Sequence, residues 1–369
     1  FAAADREISR RLWSIALSGE GRRRQIALQS VVAAFRAGAL SALDSAAASG
    51  DPFLRAAAAD ALSFLATPDA RAYRDRFASD REVVVRLANI DSLRTADAVR
   101  ENRPLVNSAL TDPDAGVRAS AVEALSRLED ASILPLLEEA AEKSSSEASP
   151  DVAIAVIGAC EKRKSDPAAA ALVESIARGT RPLPARLARR ALVGTFGRSA
   201  EAYPLPVYST GKSHGDYLAA VTEARRPWRA AVETAAGVFT IRLAGEDAPL
   251  TVLNFVKLAR SRYFDGVRIH RVVPNFVLQD GDPTSTGNGG PGYEIRDELN
   301  PLEYRRGTVG MALSGPDTGG SQWFVTHSPQ PHLNSLYTIF GQVAEGQSVV
   351  ERIGQGERIV RVTVVEARS

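Results

Sequence analysis

Apolar residues recur along this chain with two different periods. Up to about Ala202 they fall at helical spacing in an Ala-, Leu- and Arg-rich sequence. Beyond Trp228 they fall into short alternating runs rich in Gly, Val, Phe and Thr. Between the two lies a stretch from Tyr203 to Asp216 whose prolines and glycines read as a connector. The pattern predicts an α-helical repeat domain over 1–202, a linker over 203–226 and a β-rich domain over 227–369.

The first half repeats itself. Asp51-Pro52-Phe53-Leu54-Arg55 leads into Ala58, Ala61 and Leu62; Asp80 through Arg86 leads into Ala88 and Leu93; Asp112-Pro113 through Arg118 leads into Ala121 and Leu125. The arginines recur at intervals of 31 and 32 residues, each seven before its leucine. Weaker copies follow near Pro150–Cys160 and Pro184–Leu192, and another precedes them near Arg24–Val31. Such a period, with two helical stretches per unit, predicts stacked helix pairs. Each Asp-Pro pair suits a helix start, because Asp caps exposed N–H groups and Pro fits the first turn. The repeated arginines are expected to bond the preceding turn. Cys160 fills a leucine slot, so an inert buried thiol is expected there.

In the second half, Ala231–Thr234 and Val238–Leu243 flank Ala235-Ala236-Gly237 as strand, turn and strand. Pro249 opens an amphipathic helix with Val252, Phe255, Val256 and Ala259 on one side. Further strands are expected at Val267–Val273, Val277–Gln279, Thr308–Ala312, Gln322–Thr326, Ile339–Val343 and Arg358–Glu366. Many short strands with few helices predict a closed barrel.

Composition narrows the function. Across 369 residues, 45 Lys and Arg against 44 Asp and Glu leave a net charge of +1, which gives no electrostatic footprint for nucleic acid. One cysteine excludes an intrachain disulfide. No apolar run approaches the ~18 residues of a membrane span. The chain starts at Phe1 without Met, so it reads as a processed or trimmed product, and its compartment stays open.

The Asp and Arg positions make the first half similar to the HEAT family of helical repeats, with armadillo-like and other α-helical repeats as alternatives. The array then serves as a curved binding surface for a protein partner or as a spacer. In the second half, three blocks resemble cyclophilins: Phe264-Asp-Gly-Val-Arg-Ile-His-Arg271-Val-Val-Pro-Asn-Phe276-Val277-Leu-Gln279, Gly310-Met311-Ala312 through Gly319-Gly-Ser-Gln322-Trp323-Phe324, and Leu333 through Phe340-Gly-Gln-Val343. The resemblance implies an eight-stranded antiparallel barrel with capping helices and a peptidyl-prolyl cis/trans isomerase acting on proline-containing peptides and on unfolded or partly folded proteins.

That reaction needs no nucleophile and no cofactor. An Xaa-Pro bond turns slowly because amide resonance must be broken. A donor that meets the prolyl nitrogen lone pair favours the twisted state, while an apolar pocket holds the ring. By resemblance, Arg271 donates toward the prolyl nitrogen and Gln279 holds the carbonyl. Phe276, Val277, Phe324 and Leu333 line the proline pocket with Met311 beneath it. Gln322 orients the peptide, Ala312 and Leu313 offer backbone groups to it, and Tyr337 bonds a substrate carbonyl.

Three positions depart from the family pattern. Val277 is smaller than the usual Met, Leu313 replaces a common Asn, and His332 stands where cyclosporin-sensitive members have Trp. Plainer readings exist for each site residue: an arginine beside an apolar strand can snorkel to solvent, and Phe276 and Phe324 can be core. His270 is expected to pack, and Trp323 to turn away from the pocket. The Gly-rich run Thr286–Gly292 reads as a mobile loop beside the active face. Thr210-Gly-Lys-Ser213 lacks the earlier glycine of a phosphate loop, and Asp317-Thr-Gly lacks the setting of an aspartic protease. The rival function is a proline-peptide binding module without turnover. Forty arginines against 5 lysines, with Tyr337, suit a bacterial origin.

Overall fold

The computed structural model describes residues 6–19, 21–147, 149–204 and 211–367. The chain divides into two compact units, Phe1–Tyr208 and Ser209–Ser369.

The first unit is a two-layer stack of helices. One layer runs through Gly21–Phe35, Pro52–Ala61, Val83–Asp91, Ala115–Leu125, Asp151–Glu161 and Pro182–Gly194, each packed on the next. The other includes Thr67–Ala78, Leu134–Ser144 and Pro167–Ala177. Helix Pro52–Ala61 touches neighbours on both flanks as well as the second layer, and only Asp60 of its residues escapes burial. Its small alanines permit that approach. Helix Thr67–Ala78 buries Ala70, Arg74 and Phe77, a one-face spacing of four and three. Cys160 is fully buried, and burial pushes its thiol up to about 12.

The repeated charges do more than the sequence suggests. Asp51 caps its helix as expected, accepting from Phe53 N at 3.0 Å with Pro52 in the first turn. In the next two repeats the aspartate stands before the helix, and Asp114 rather than Asp112 caps Ala115–Leu125. Asp80 and Asp112 are thereby left to meet the arginine of the preceding repeat. Arg55 donates to Asp80 through Nε and Nη2 at 2.7 and 2.9 Å, and Arg86 to Asp112 at the same distances. Arg118 pairs with Glu147. Each Nη1 also reaches the turn before its own helix: Ser49 O at 2.9 Å, Asp80 O at 2.9 Å and Asp112 O at 2.6 Å. The result is a ladder that joins successive repeats. Its hydrogen bonds raise Arg55 and Arg86 above their usual values.

Residues 21–47 are helical throughout and predominantly apolar. Leu28, Val31, Val32, Leu43 and Ala46 from this stretch are buried in the first core of the array.

The second unit is an antiparallel sheet of eight strands: β1 Trp228–Thr234, β2 Gly237–Leu243, β3 Arg271–Val273, β4 Val277–Asp280, β5 Thr308–Met311, β6 Trp323–Thr326, β7 Ile339–Glu345 and β8 Ile359–Glu366. Their order is β3-β4-β6-β5-β7-β2-β1-β8. The sheet curls until its two ends meet. Residues 266–269, just before β3, exchange backbone bonds with 356–359, among them Gly266 N to Ile359 O and Ile269 N to Glu357 O, both 2.8 Å. The predicted strand Val267–Val273 is therefore split: its first half closes the seam and its second half is β3. Helix Pro249–Arg260 plugs the interior, with the Phe255 ring 5.2 Å from Phe264, 5.8 Å from Trp323 and 5.4 Å from Phe340. Glu298 caps that helix from outside it, accepting from Leu250 N and Thr251 N.

The segment expected as linker contains a helix, His214–Ala224, opened by a reciprocal Ser213–Asp216 capping box. Its end is built into the second unit: Ala224 is buried, and Trp228 Nε1 donates to Glu223 O at 2.9 Å. Capping chemistry inside a polar, glycine-containing stretch is what the connector reading overlooked. Residues 205–210, including Thr210 of the phosphate-loop-like motif, lie outside the described residues.

Candidate active site

Strand alternation sorts the residues of β3, β4 and β6 onto two faces. Val272, Leu278, Trp323 and Val325 point into the barrel core, whereas Val277 and Phe324 join a separate cluster with Tyr304, Leu333 and Ile339. The register sets Arg271 opposite Gln279, and Gln279 opposite Phe324. These residues open onto a pocket of about 140 Å³ lined by Arg271, Phe276, Val277, Gln279, Ala312, Leu313, Phe324, Leu333 and Tyr337. One wall is apolar, and one side carries an exposed guanidinium.

A directed chain of hydrogen bonds holds that guanidinium. Arg271 Nη1 donates to Gln279 Oε1 at 3.0 Å, and Gln279 Nε2 donates to Gln322 Oε1 at 3.0 Å. Gln322 Nε2 then donates to Gly287 O and Gly289 O, at 2.8 and 2.9 Å. The Gly-rich run is thus tied down on this side. It is tied on the other by Asp282, which accepts from Thr286 N at 2.8 Å and Gly287 N at 2.6 Å.

Phe276 reaches the pocket from the β3–β4 turn. Asn275 takes a positive φ of 59°, which Asn tolerates better than most residues, and Gln330 Nε2 fixes its carbonyl at 2.8 Å. The Arg271 guanidinium stands 5.5 Å from the Phe276 ring centre. His332 stacks on the same ring at 5.8 Å and 20°.

Tyr304 escaped the sequence reading. It is fully buried and stacks on Phe324 at 5.5 Å and 19°, and its hydroxyl donates to Tyr337 O at 3.3 Å. Tyr337 meets Phe324 edge-on at 5.9 Å. Gly310 makes this packing feasible, since a Cβ there would lie 2.2 Å from the Tyr304 hydroxyl and 2.6 Å from Phe324 Cζ. Nothing in the local pattern of Asn300-Pro-Leu-Glu-Tyr304 marks the tyrosine. Only the long-range pairing of β5 with β6 brings it under the pocket.

Three expected site residues lie off the pocket wall. Met311 is the register partner of Trp323 and belongs to the barrel core. Gln322 spends its amide on Gln279 and the glycine carbonyls. His332 acts on the pocket through the Phe276 ring. The Ala312 N–H donates to Gln322 O at 3.0 Å. His270 is buried, as expected, and burial holds it below the usual histidine range.

A guanidinium held beside an apolar pocket suits an apolar ring flanked by a polar amide. Residues 229–368 match the family described as cyclophilin type peptidyl-prolyl cis-trans isomerase/CLD, and residues 102–193 match HEAT repeats. A peptidyl-prolyl cis-trans isomerase of Synechococcus elongatus is 45% identical over 139 residues, covering 37% of this chain and 96% of the relative. Isomerase B of Bacillus subtilis is 48% identical over 121 residues, covering 32% of this chain and 85% of its own. An isomerase-like 1 protein of Aspergillus niger is 42% identical over 152 residues, covering 37% and 94%. The chain belongs to the cyclophilin-type peptidyl-prolyl isomerases. It is an enzyme of that class fused to HEAT repeats.

Proposed function

We propose that Arg271 and Gln279 are the catalytic residues of this isomerase and that Phe276, Val277, Phe324 and Leu333 seat the substrate proline. The convergence of these side chains on one small pocket carries the reading. The planar fork of Arg271 lets one N–H bond Gln279 while others face the prolyl nitrogen. As the amide twists, that nitrogen gains lone-pair density, and a fixed donor stabilises the twisted state more than the planar one. Gln279 holds the donor in place and offers its amide to the rotating carbonyl. Tyr304 and Tyr337 keep Phe324 in position. Arg271→Ala in the full chain should lower kcat/KM on an Xaa-Pro peptide by about a hundredfold or more, with little change in Tm. Arg271→Lys should restore little of it. Near-normal turnover by Arg271→Ala would remove Arg271 from the mechanism.

The repeats are proposed to bind extended or partly folded protein and to raise its concentration at the isomerase, making the chain a folding catalyst. Peptides should be turned over equally by the full chain and the isomerase unit alone. A protein whose refolding is limited by proline should favour the full chain through a lower KM. Equal catalysis of that protein by both would leave the array as a spacer.

A further inference from the structure

Directly behind the pocket row Arg271–Gln279–Phe324 lies a second one. The pairing of Arg271 with Gln279 and of Asp280 with Trp323 sets His270, Asp280 and Trp323 in adjacent positions across β3, β4 and β6. Alternation turns this row toward the barrel interior. Asp280 and Trp323 have no exposed surface, and His270 is 9% exposed. All three keep polar atoms without a protein partner: Asp280 Oδ2, Trp323 Nε1 and both ring nitrogens of His270. The other Asp280 oxygen accepts from Gly281 N at 2.6 Å. An ionised carboxylate here has one satisfied oxygen and the other buried without a donor bonded to it, a costly state, whereas a neutral carboxyl carries its own donor.

We propose that Asp280 is a positioning residue that works in its protonated form, keeping β4 seated so that Gln279 meets Arg271, and that its ionisation disturbs this alignment. The inference rests on the assignment of Arg271 and Gln279 made above. Burial pushes the Asp280 carboxyl up to about 7; the Gly281 N–H opposes the shift and the Asp282 charge adds to it.

Among the described residues no cation bonds Asp280 or offsets its charge. His270, on the β3 side, is held below its usual range by burial, with Asp282 opposing and Arg271 adding. Asp282 is buried and spent on Thr284, Thr286 and Gly287. Tyr263, which meets Ser321 Oγ at 3.1 Å, is raised by burial. Arg271 itself points to the opposite face of the sheet. Below neutrality the carboxyl is uncharged. As pH rises through its folded value the proton leaves, and the new charge draws β4 toward solvent, with Gln279 one residue away.

The test uses the full chain and an Xaa-Pro peptide, with kcat and KM measured from about pH 5.5 to about pH 9. Wild-type kcat should fall by about threefold or more as pH rises across neutrality, with KM little changed. Asp280→Asn keeps the shape and a donor but cannot ionise, so its profile should be flat. Arg271→Ala should lower turnover at every pH; its failure to do so would count against the pocket assignment and not against Asp280. A carboxyl ¹³C NMR titration of the wild-type chain gives a second measurement that needs no variant, and a midpoint near neutrality is expected. A midpoint in the ordinary carboxylate range, or parallel pH profiles for wild type and Asp280→Asn, would overturn the proposal.

Discussion

The carbonyl oxygen of Ala224 occupies the space beside Gly245 where any side chain would have to start: a Cβ on Gly245 would lie 1.7 Å from it. The last turn of helix His214–Ala224 is thus seated against the barrel. A fragment beginning at 227 should unfold at a Tm lower by about 3 °C or more than one beginning at 211, the shift expected for roughly 1 kcal/mol in a unit of this size. Gly245→Ala should weaken the longer fragment and leave the shorter one nearly unchanged. Equal melting of the two fragments would show that the helix adds nothing to the barrel.

The ladder of the helical unit predicts unequal costs for two ion pairs. The side chains of Arg86 and Asp112 are 14% and 10% exposed, whereas Arg178, paired with Glu174, is 71% exposed. Asp112→Ala leaves a nearly buried guanidinium without its carboxylate and should cost about 3 kcal/mol. Arg178→Ala should cost less than about 0.5 kcal/mol. Urea unfolding of the full chain, followed by helical circular dichroism, reads both. Similar shifts for the two variants would deny the ladder a special role.

Much of this architecture is legible in the sequence. Asp51-Pro52 marks a helix start, the 31- and 32-residue spacing of Arg55, Arg86 and Arg118 marks the repeat, and Pro249 opens the plug helix where it was expected. These signals are local, so one sequence suffices to see them. The rungs Arg55–Asp80 and Arg86–Asp112 span 25 and 26 residues, and their partners become evident only when the helices are stacked. The pocket was readable for the same reason it is compact: seven of its residues lie in two short blocks, 271–279 and 311–324, whose alternation sorts them by face. Tyr304 was not readable, because its place depends on which strand lies next to β5.

Stacking of His332 on Phe276 bears on inhibitor binding. An imidazole offers less apolar area than an indole and lacks its N–H at the same reach. Cyclosporin should therefore inhibit this protein weakly, and His332→Trp should tighten inhibition by about tenfold, or roughly 1.4 kcal/mol. Turnover of a short peptide should change little. Unaltered inhibition in His332→Trp would place position 332 outside the inhibitor's footprint.

The clasp that shuts the barrel and the strand that bears Arg271 are one continuous piece of chain. Residues 266–269 grip 356–359, and the guanidinium follows two residues later. Fraying at that junction cannot stay local, because slack passed along the backbone arrives first at the group that must stand still during bond rotation. Warming the protein should therefore silence the enzyme while most of the sheet remains paired, and lost turnover becomes an early gauge of a barrel beginning to come apart.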